Sequence, residues 1–296
     1  MEIGPIIDIN KCTLCRKCVD LCPKAVLSVD GSMLSIGEGC ILCTHCYDVC
    51  KFNAIGFDES LRPLQFHSFS YKEKVMGADS ISSKDLVNFI RSRRSIRRFK
   101  DKSLSDEVLR DLVEFAVSAP SGSNCQIWEF LVLNGRDKVY GLAQDIERFF
   151  VKLNRLAANP WIRFISPLFA GRTLIRYYKN HYESVKMGLE EARKGHDLLF
   201  HGAPALIVIH SSTEGSLPRD DAQYAAYNIT LLAHSLGLGS CFIGYASETL
   251  NRARDIRIKL GIPVNNRVHA VLVLGYPDVQ FHRLSLRKQY SVAFYQ

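Results

Sequence analysis

Cys12-Thr-Leu-Cys15-Arg-Lys-Cys18-Val-Asp-Leu-Cys22 and Cys40-Ile-Leu-Cys43-Thr-His-Cys46-Tyr-Asp-Val-Cys50 are one pattern written twice, each cysteine 28 residues from its counterpart. Asp20 recurs as Asp48. Apolar stretches precede the runs at Ile6–Ile9 and Met33–Ile36, and others follow them at Ala25–Val29 and Ala54–Phe57. A repeat of this kind predicts two copies of a strand–loop–helix–strand unit. It confines the first module to residues 1–60.

Eight of the ten cysteines lie in these runs. The spacing C-x-x-C-x-x-C puts three thiolates on one tight loop, which suits a face of an iron–sulfur cube. In the two-cluster ferredoxin pattern the fourth cysteine of each run serves the other cluster. On that logic Cys12, Cys15, Cys18 and Cys50 hold one 4Fe–4S cluster, and Cys22, Cys40, Cys43 and Cys46 hold the second. Zinc also takes C-x-x-C pairs, but it has no use for a third cysteine at that spacing and a fourth at x-x-x. Disulfides fit poorly, because Met1–Asn10 lacks the basic-then-apolar character of a secretory leader; reduced thiolates fit a cytoplasm. Pro23 follows Cys22, as the ferredoxin pattern prefers. Lys51 follows Cys50, a departure that touches no ligand. His45 reads as a surface side chain. Two clusters move single electrons, so the rest of the chain is expected to hold their redox partner.

The chain has 296 residues and is 47% hydrophobic, enough for a sizeable core. No run of 18 apolar residues occurs, so no transmembrane segment is expected. Residues 1–60 carry five Lys/Arg against eight Asp/Glu, a charge of −3, and residues 61–296 carry 33 against 22, or +11. An acidic redox module on a basic body suggests electrostatic docking between them or between subunits. The basic residues lack the patterning of a nucleic-acid motif, and none is expected as a partner.

Residues 61–82 read as a linker, broken by Pro63 and Gly77. A helix follows from Ser82, with Asp85 completing a capping box and Leu86, Val87 and Ile90 forming its apolar face. A second begins at Ser105, stapled by Leu104 and Leu109, with Val108, Leu112, Val113 and Ala116 as its buried stripe; it ends before Pro120. Strands are predicted at Glu129–Leu133, Ala205–His210 and His269–Gly275. Helices are predicted over Arg219–Leu236, capped by Gly237, and over Glu248–Leu260, closed by Gly261 and Pro263. The fold class is α+β: a ferredoxin-like module, then a body, residues 83–296, with helices around a central mixed sheet. Residues 145–200 form a helical insertion rich in aromatics. They suit a lid over a pocket, a subunit-interface arm or, since Pro160, Pro167 and Gly171 interrupt any long amphipathic helix, least of all a membrane-surface helix.

No G-x-G-x-x-G fingerprint follows a strand, so a bound nicotinamide is not indicated. Arg91-Ser-Arg-Arg-Ser-Ile-Arg-Arg-Phe99 ends the first body helix, and guanidinium forks there suit phosphate and ring carbonyls. Ala119-Pro-Ser-Gly-Ser-Asn-Cys-Gln-Ile-Trp128, Gly237-Leu-Gly-Ser-Cys-Phe-Ile-Gly244 and Gly275-Tyr-Pro277 follow. In this order the strings resemble the nitroreductase family of FMN-dependent flavoproteins, over about residues 83–296. With the cluster module in front, the chain resembles the ferredoxin-containing branch of that family.

The resemblance implies a homodimer with FMN at the subunit interface. It implies that Arg93, Ser95 and Arg97 hold the FMN phosphate and pyrimidine ring. Pro120, Ser121, Gly122 and Asn124 would come from the other subunit. Ile243 and Gly244 would lie along the isoalloxazine near N5, and Arg283 would be a further phosphate contact. The chain departs at Ile127, where the family often has Pro, and at Phe281, where some members have a basic residue. Cys125 and Cys241 read as small buried thiols. The implied activity is a relay from an external low-potential donor such as ferredoxin, through the clusters and FMN, to an electron-poor small-molecule acceptor: a nitroarene, quinone or activated alkene. Reductive dehalogenation and a non-catalytic carrier or sensor are the alternatives. No catalytic residue is assigned, although Tyr177 and Tyr178 are candidate proton donors on the insertion.

Overall fold

The 28-residue repeat folds as two interlocked halves. In a computed structural model, residues 4–295 are described, Ala170 by its backbone alone; Met1–Ile3 and Gln296, the outer ends of the 1–60 and 83–296 ranges, lie outside them. The first half runs β1 (Ile6–Ile7), α1 (Lys17–Leu21), β2 (Leu27–Asp30). The second runs β3 (Met33–Ile36), α2 (His45–Val49), β4 (Ile55–Gly56). The halves exchange partners: β1 pairs with β4 and β2 with β3, both antiparallel. Non-glycine residues take left-handed backbone at equivalent places in each half, namely Leu14, Arg16 and Ala25, then Leu42, Thr44 and Asn53. Such residues cost energy and persist only where their surroundings over-determine them. Here they curl the chain around each cysteine run. The module's own core is small, built on Val26, Leu27 and Ile55 with Cys18 and Cys46. A domain of this size is marginal on its core alone, and a bound metal group adds to its stability.

The body begins with α3 (Ser83–Ser92) and α4 (Asp106–Ala116). Then come β5 (Glu129–Asn134), the long α5 (Arg136–Ala158), α6 (Pro160–Ile165), α7 (Pro167–Ala170), α8 (Thr173–Asn180) and α9 (Tyr182–Arg193). The chain returns through β6 (Ala205–Ser211), α10 (Pro218–Ser235), β7 (Gly239–Phe242), α11 (Gly244–Arg252), α12 (Arg254–Lys259) and β8 (Arg267–Gly275). The sheet order is β5-β6-β8-β7, every named pair antiparallel. Its parallel element is the isolated bridge from Ser95 to Ser240.

All seven residues of β6 are buried. Leu206 and Val208 face the α5/α11 layer, while Ala205, Ile207 and Ile209 face the α4/α10 layer. That is the period-2 alternation of a strand covered on both faces. Each of the leucine, valine and isoleucine side chains contributes about 1.5–3 kcal/mol by leaving water. α10 packs closely because Ala222, Ala225, Ala226, Ile229 and Ala233 fall at helical spacing and four of them are alanine.

Several expectations change. The helix expected over Glu248–Leu260 is two helices, broken where Ala253 turns out of helical backbone (φ −89°, ψ 88°). β7 was not anticipated, since Gly239-Ser-Cys-Phe242 is short and begins with glycine. Pro160 and Pro167 start α6 and α7 from their first turns. The apolar face of α3 is open: Leu86, Val87 and Ile90 are 48%, 51% and 37% exposed.

Residues 61–82 hold a short 3-10 turn at Ala78–Ser80 and are tied to α4. Arg62 makes a two-pronged bond to the Glu114 carboxylate. Asp111, fully buried, accepts from the His67 and Ser68 backbone N–H groups and from the Ser68 hydroxyl at 2.6–3.0 Å.

Candidate functional site

The cysteines line two separate cavities. Cys12, Cys15, Cys18 and Cys50 surround one, with Leu14, Val29 and Phe52. Cys22, Cys40, Cys43 and Cys46 surround the other, with Ile41, His45 and Phe57. Each cavity therefore takes three cysteines from one run and the last cysteine of the other. Among the described residues, no three His, Cys, Asp or Glu side chains converge as a single bound ion requires. Four cysteines to a cavity, three from one run and one from the other, suit a 4Fe–4S cube. Leu42 N–H donates to Cys40 Sγ at 3.4 Å and Ala54 N–H to Cys50 Sγ at 3.3 Å. Cys18 and Cys46, equivalent in the repeat, are both buried, and burial pushes their thiols up, Cys46 to about 11. His45 is exposed.

The arginine segment is seated on the sheet by glycine. Arg93 caps α3, and the chain then runs extended across the ends of β7 and β8. Ile96 N–H donates to Ser240 at 3.0 Å, and Lys100 N–H to Tyr276 at 2.9 Å. A Cβ on Gly239 would lie 2.6 Å from the Ile96 side chain. One on Gly275 would lie 2.6 Å from Pro204 and 2.8 Å from Phe99. The two glycines of the later motifs are thus slots for two side chains of the first.

This docking sets out Arg93, Ser95 and Arg97. The Arg93 Nε is buried without a hydrogen-bond partner, and its guanidinium lies 6.0 Å above the Tyr227 ring. Among the described residues neither Arg93 nor Arg97 pairs with a carboxylate; Arg98 pairs with Asp278 at 3.5 Å. Arg94 stacks 5.0 Å over Phe281, which draws the exposed Arg283 stretch alongside. Ile243 and Gly244 lie where β7 passes into α11. Ile243 is buried and its N–H is committed to the Val271 carbonyl at 2.9 Å. The backbone donors without intrahelical partners here are those of the first turn of α11, from Gly244 onward.

Pro120, Ser121, Gly122 and Asn124 form a second group, and among the described residues no hydrogen bond joins it to Arg93, Ser95 or Arg97, although Ser118, just before it, accepts from Asn228 Nδ2 at 3.2 Å, next to Tyr227. Gly122 N–H donates to buried Asp221 at 2.9 Å, in the first turn of α10. Arg93 lies beside Tyr227, and Ser92 bonds His234, near the other end. Six to thirteen residues of α10 separate these anchors, roughly 9–20 Å along the axis. Ser121 Oγ accepts from Gln126 N–H at 3.2 Å. The Asn124 amide donates to the Ile41 and Leu42 carbonyls of the cluster module, at 3.0 and 2.9 Å.

The 145–200 insertion encloses a cavity of about 320 Å³ lined by Glu147, Phe150, Val185, Met187, His201 and Tyr245, among others. Tyr245 directly follows Gly244, and its hydroxyl lies 3.3 Å from His181 Nδ1. Burial pushes the Glu147 carboxyl up and the His201 imidazole down. Tyr177 donates to Asn154 at 2.6 Å and is held from ionising by burial. Tyr178 stacks under Arg163 and against Tyr182. Tyr245, His181 and Asp221 were not singled out in the sequence. Tyr245 had one signal, its place directly after the Ile243-Gly244 pair. Cys241 is buried, and Cys125 is partly buried near Ser216.

Residues 90–276 match the family model described as the nitroreductase family, and residues 4–51 match the 4Fe-4S dicluster domain. A "Putative NADH dehydrogenase/NAD(P)H nitroreductase" of Archaeoglobus fulgidus is 27% identical over 198 residues, 65% of this chain and 86% of that protein. Iodotyrosine deiodinase of Daphnia pulex is 24% identical over 230 residues, 75% of this chain and 68% of that one. Among solved structures, a nitroreductase with bound FMN from Bacteroides fragilis superposes with a TM-score of 0.50 at 20% identity, covering 72% of this chain and 99% of its own. One from Desulfitobacterium hafniense, also with bound FMN, gives 0.51 at 24% identity, covering 71% and 97%. At these identities the two structures speak to the fold. No helix among the described residues is long and apolar enough to cross a membrane.

Proposed function

We propose that this chain, which belongs to the nitroreductase family, is an iron–sulfur flavoprotein oxidoreductase that takes electrons from an external low-potential donor such as a ferredoxin and delivers them to an electron-poor organic acceptor: a nitroarene, quinone or activated alkene. The observation that carries the reading is two four-cysteine cavities in the same chain as an arginine cradle without acidic partners. When bound, the clusters supply single-electron transfer and FMN supplies two-electron reduction at N5.

The residues present fit those groups. Arg93, with its buried orphan Nε, and Arg97 offer unneutralised charge to a phosphate and to ring carbonyls. Ser95 is held in place by its bridge to Ser240. The first turn of α11, from Gly244, would offer N–H donors and the positive end of a helix dipole to a flavin ring. Phe150, Val185 and Met187 give the cavity beside Tyr245 an apolar side, with Glu147, Ser184 and His201 among its polar lining. The Tyr245 hydroxyl, within 3.3 Å of His181 Nδ1, borders the same cavity. An apolar lining suits an uncharged aromatic acceptor.

A homodimer completes the site. Gly122 of the Pro120–Asn124 group is tied to Asp221 in the first turn of α10, whereas Arg93 lies over Tyr227 further along, which supports the reading that a second copy supplies this loop. The open face of α3 and the exposed Leu286, Tyr290 and Phe294 of the tail are the surfaces a second copy would cover.

Reductive dehalogenation is the second reading, favoured by the likeness to a deiodinase over 230 residues. The cavity beside Tyr245 counts against a sealed, non-catalytic carrier. The test is anaerobic purification with iron reconstitution, followed by chemical reduction and addition of nitroarene, quinone or halophenol while flavin absorbance is recorded. Flavin reoxidation by one acceptor class is expected. Absence of flavin from the purified protein would sink the assignment of the body, and a flavin that no acceptor reoxidises would favour the carrier.

A further inference from the structure

We propose that the two clusters work in a fixed order: the set Cys22, Cys40, Cys43, Cys46 is the outlet to the flavin, the set Cys12, Cys15, Cys18, Cys50 is the inlet, and Asn124 is the strut that seats the outlet. The inference rests on the relay reading above.

The Asn124 amide is wholly committed. Its Nδ2 donates to the carbonyls of Ile41 and Leu42, the two residues between Cys40 and Cys43. Its Oδ1 accepts from Gln126 Nε2 at 3.0 Å. Among the described residues, these two bonds to Ile41 and Leu42 are the only hydrogen bonds between the cluster module, residues 4–60, and the body from Ser83 onward. The other ties run through the linker, as in Arg62 to Glu114. One cluster loop, and not its 28-residue counterpart, therefore sits on the loop that supplies half of the cofactor cradle.

The contact is close to the metal ligands. Leu42, whose carbonyl Asn124 takes, gives its own N–H to Cys40 Sγ at 3.4 Å. Leu42 and Asn124 are both left-handed, each at φ 54°; Leu42 shares this with Leu14, its counterpart in the repeat, and Asn tolerates it. The two cysteine sets differ in access at one equivalent position: Cys15 is exposed and Cys43 partly covered, while Cys12, Cys22, Cys40 and Cys50 are all partly covered and Cys18 and Cys46 both buried. An external donor reaches the Cys15 side, and the body reaches the Cys40–Cys43 side.

The balance is two electrons, given singly by a one-electron reductant that is itself oxidised, and one proton from solvent, for each two-electron reduction of the flavin. Asn124 takes no part in the chemistry; it is a positioning residue.

The experiment uses the full chain, iron-reconstituted and flavin-loaded, mixed anaerobically with dithionite while cluster bleaching and flavin absorbance are followed together. Asn124→Asp replaces the donor amide with a carboxylate that repels both carbonyls. The lag between cluster and flavin reduction is expected to lengthen by about tenfold or more, with iron and flavin counted on the same sample. If Asn124→Asp sheds flavin but leaves the lag unchanged in what remains, Asn124 serves the flavin and the strut is overturned. Cys43→Ser and Cys15→Ser each remove one cluster. Cys43→Ser is expected to slow flavin reduction more than Cys15→Ser; equal effects or the reverse order overturn the sequence of clusters. A parent protein whose flavin is never reduced through its clusters defeats the relay itself, a separate result read before either variant is made.

Discussion

Asp111 shows how one side chain decides whether the linker is a tether or a strap. It lies on α4, fully buried, and every bond it accepts comes from His67 and Ser68. Burial works against its ionisation, but the donors on Ser68 and His67 win and hold the carboxyl below its usual value. Asp111→Asn keeps the shape and removes the charge, and turns an N–H₂ toward N–H donors. The expected cost is about 2–4 kcal/mol in urea unfolding, with faster tryptic cleavage at the exposed Lys72 and Lys74. Wild-type stability and linker protection in the variant would refute the strap. The same bonds carry a pH sign. A carboxyl whose folded pKa is depressed stabilises fully above its unfolded value near 3.8 and loses that contribution as pH falls through the lower, folded value. Linker protection is therefore expected to survive mild acid and fail only below about pH 3.8.

At the scale of elements, the motif strings are pieces of one joint. Gly239 and Gly275 are small because Ile96 and Phe99 occupy the space a Cβ would fill. Gly239→Ala should push the Arg93–Phe99 segment off β7, at about 1–3 kcal/mol. The purified protein should show a lower flavin-to-iron ratio with its iron retained. Ile96→Ala in the same chain should restore part of the loss, since contacting residues couple; a strictly additive pair would argue that the two do not meet. This joint also marks the limit of what the sequence made legible. The cluster module was readable because the repeat writes its period in cysteines and each half is local. β6 and β8 were readable as continuous apolar runs. The joint between Ile96 and Gly239 spans 143 residues, and neither residue type announces the other. The commitment of Asn124 to Ile41 and Leu42 was hidden for the same reason. The motif pointed to a cofactor contact, whereas the backbone it bonds belongs to another domain. β7 was missed because a four-residue strand that opens on glycine has no pattern of its own. Its identity as a strand comes from β8.

At the scale of the molecule, charge, exposure and the split cradle converge on the second copy. α3 presents a full apolar face, yet none of its residues is buried within its own chain. The capping of that helix by Ser82 and its junction with Arg93 tie the face to the arginine cradle, so whatever covers the face also fixes Arg93. Within one chain no hydrogen bond among the described residues joins Arg93 to the Pro120–Asn124 loop, whose Gly122 is held by Asp221. A second copy set on α3 is the simplest way to bring a Pro120–Asn124 loop to each Arg93. Leu86→Asp with Val87→Asp places two carboxylates on that face without altering a cradle residue. Sedimentation should then show the dimer replaced by monomer, with flavin lost and about eight irons per chain kept, because the cluster module is built within one chain. A double variant that remains dimeric with its flavin bound would assign the interface to another surface, the exposed tail around Leu286 and Phe294 first. A monomer that keeps its flavin would mean that one chain closes the cradle by itself.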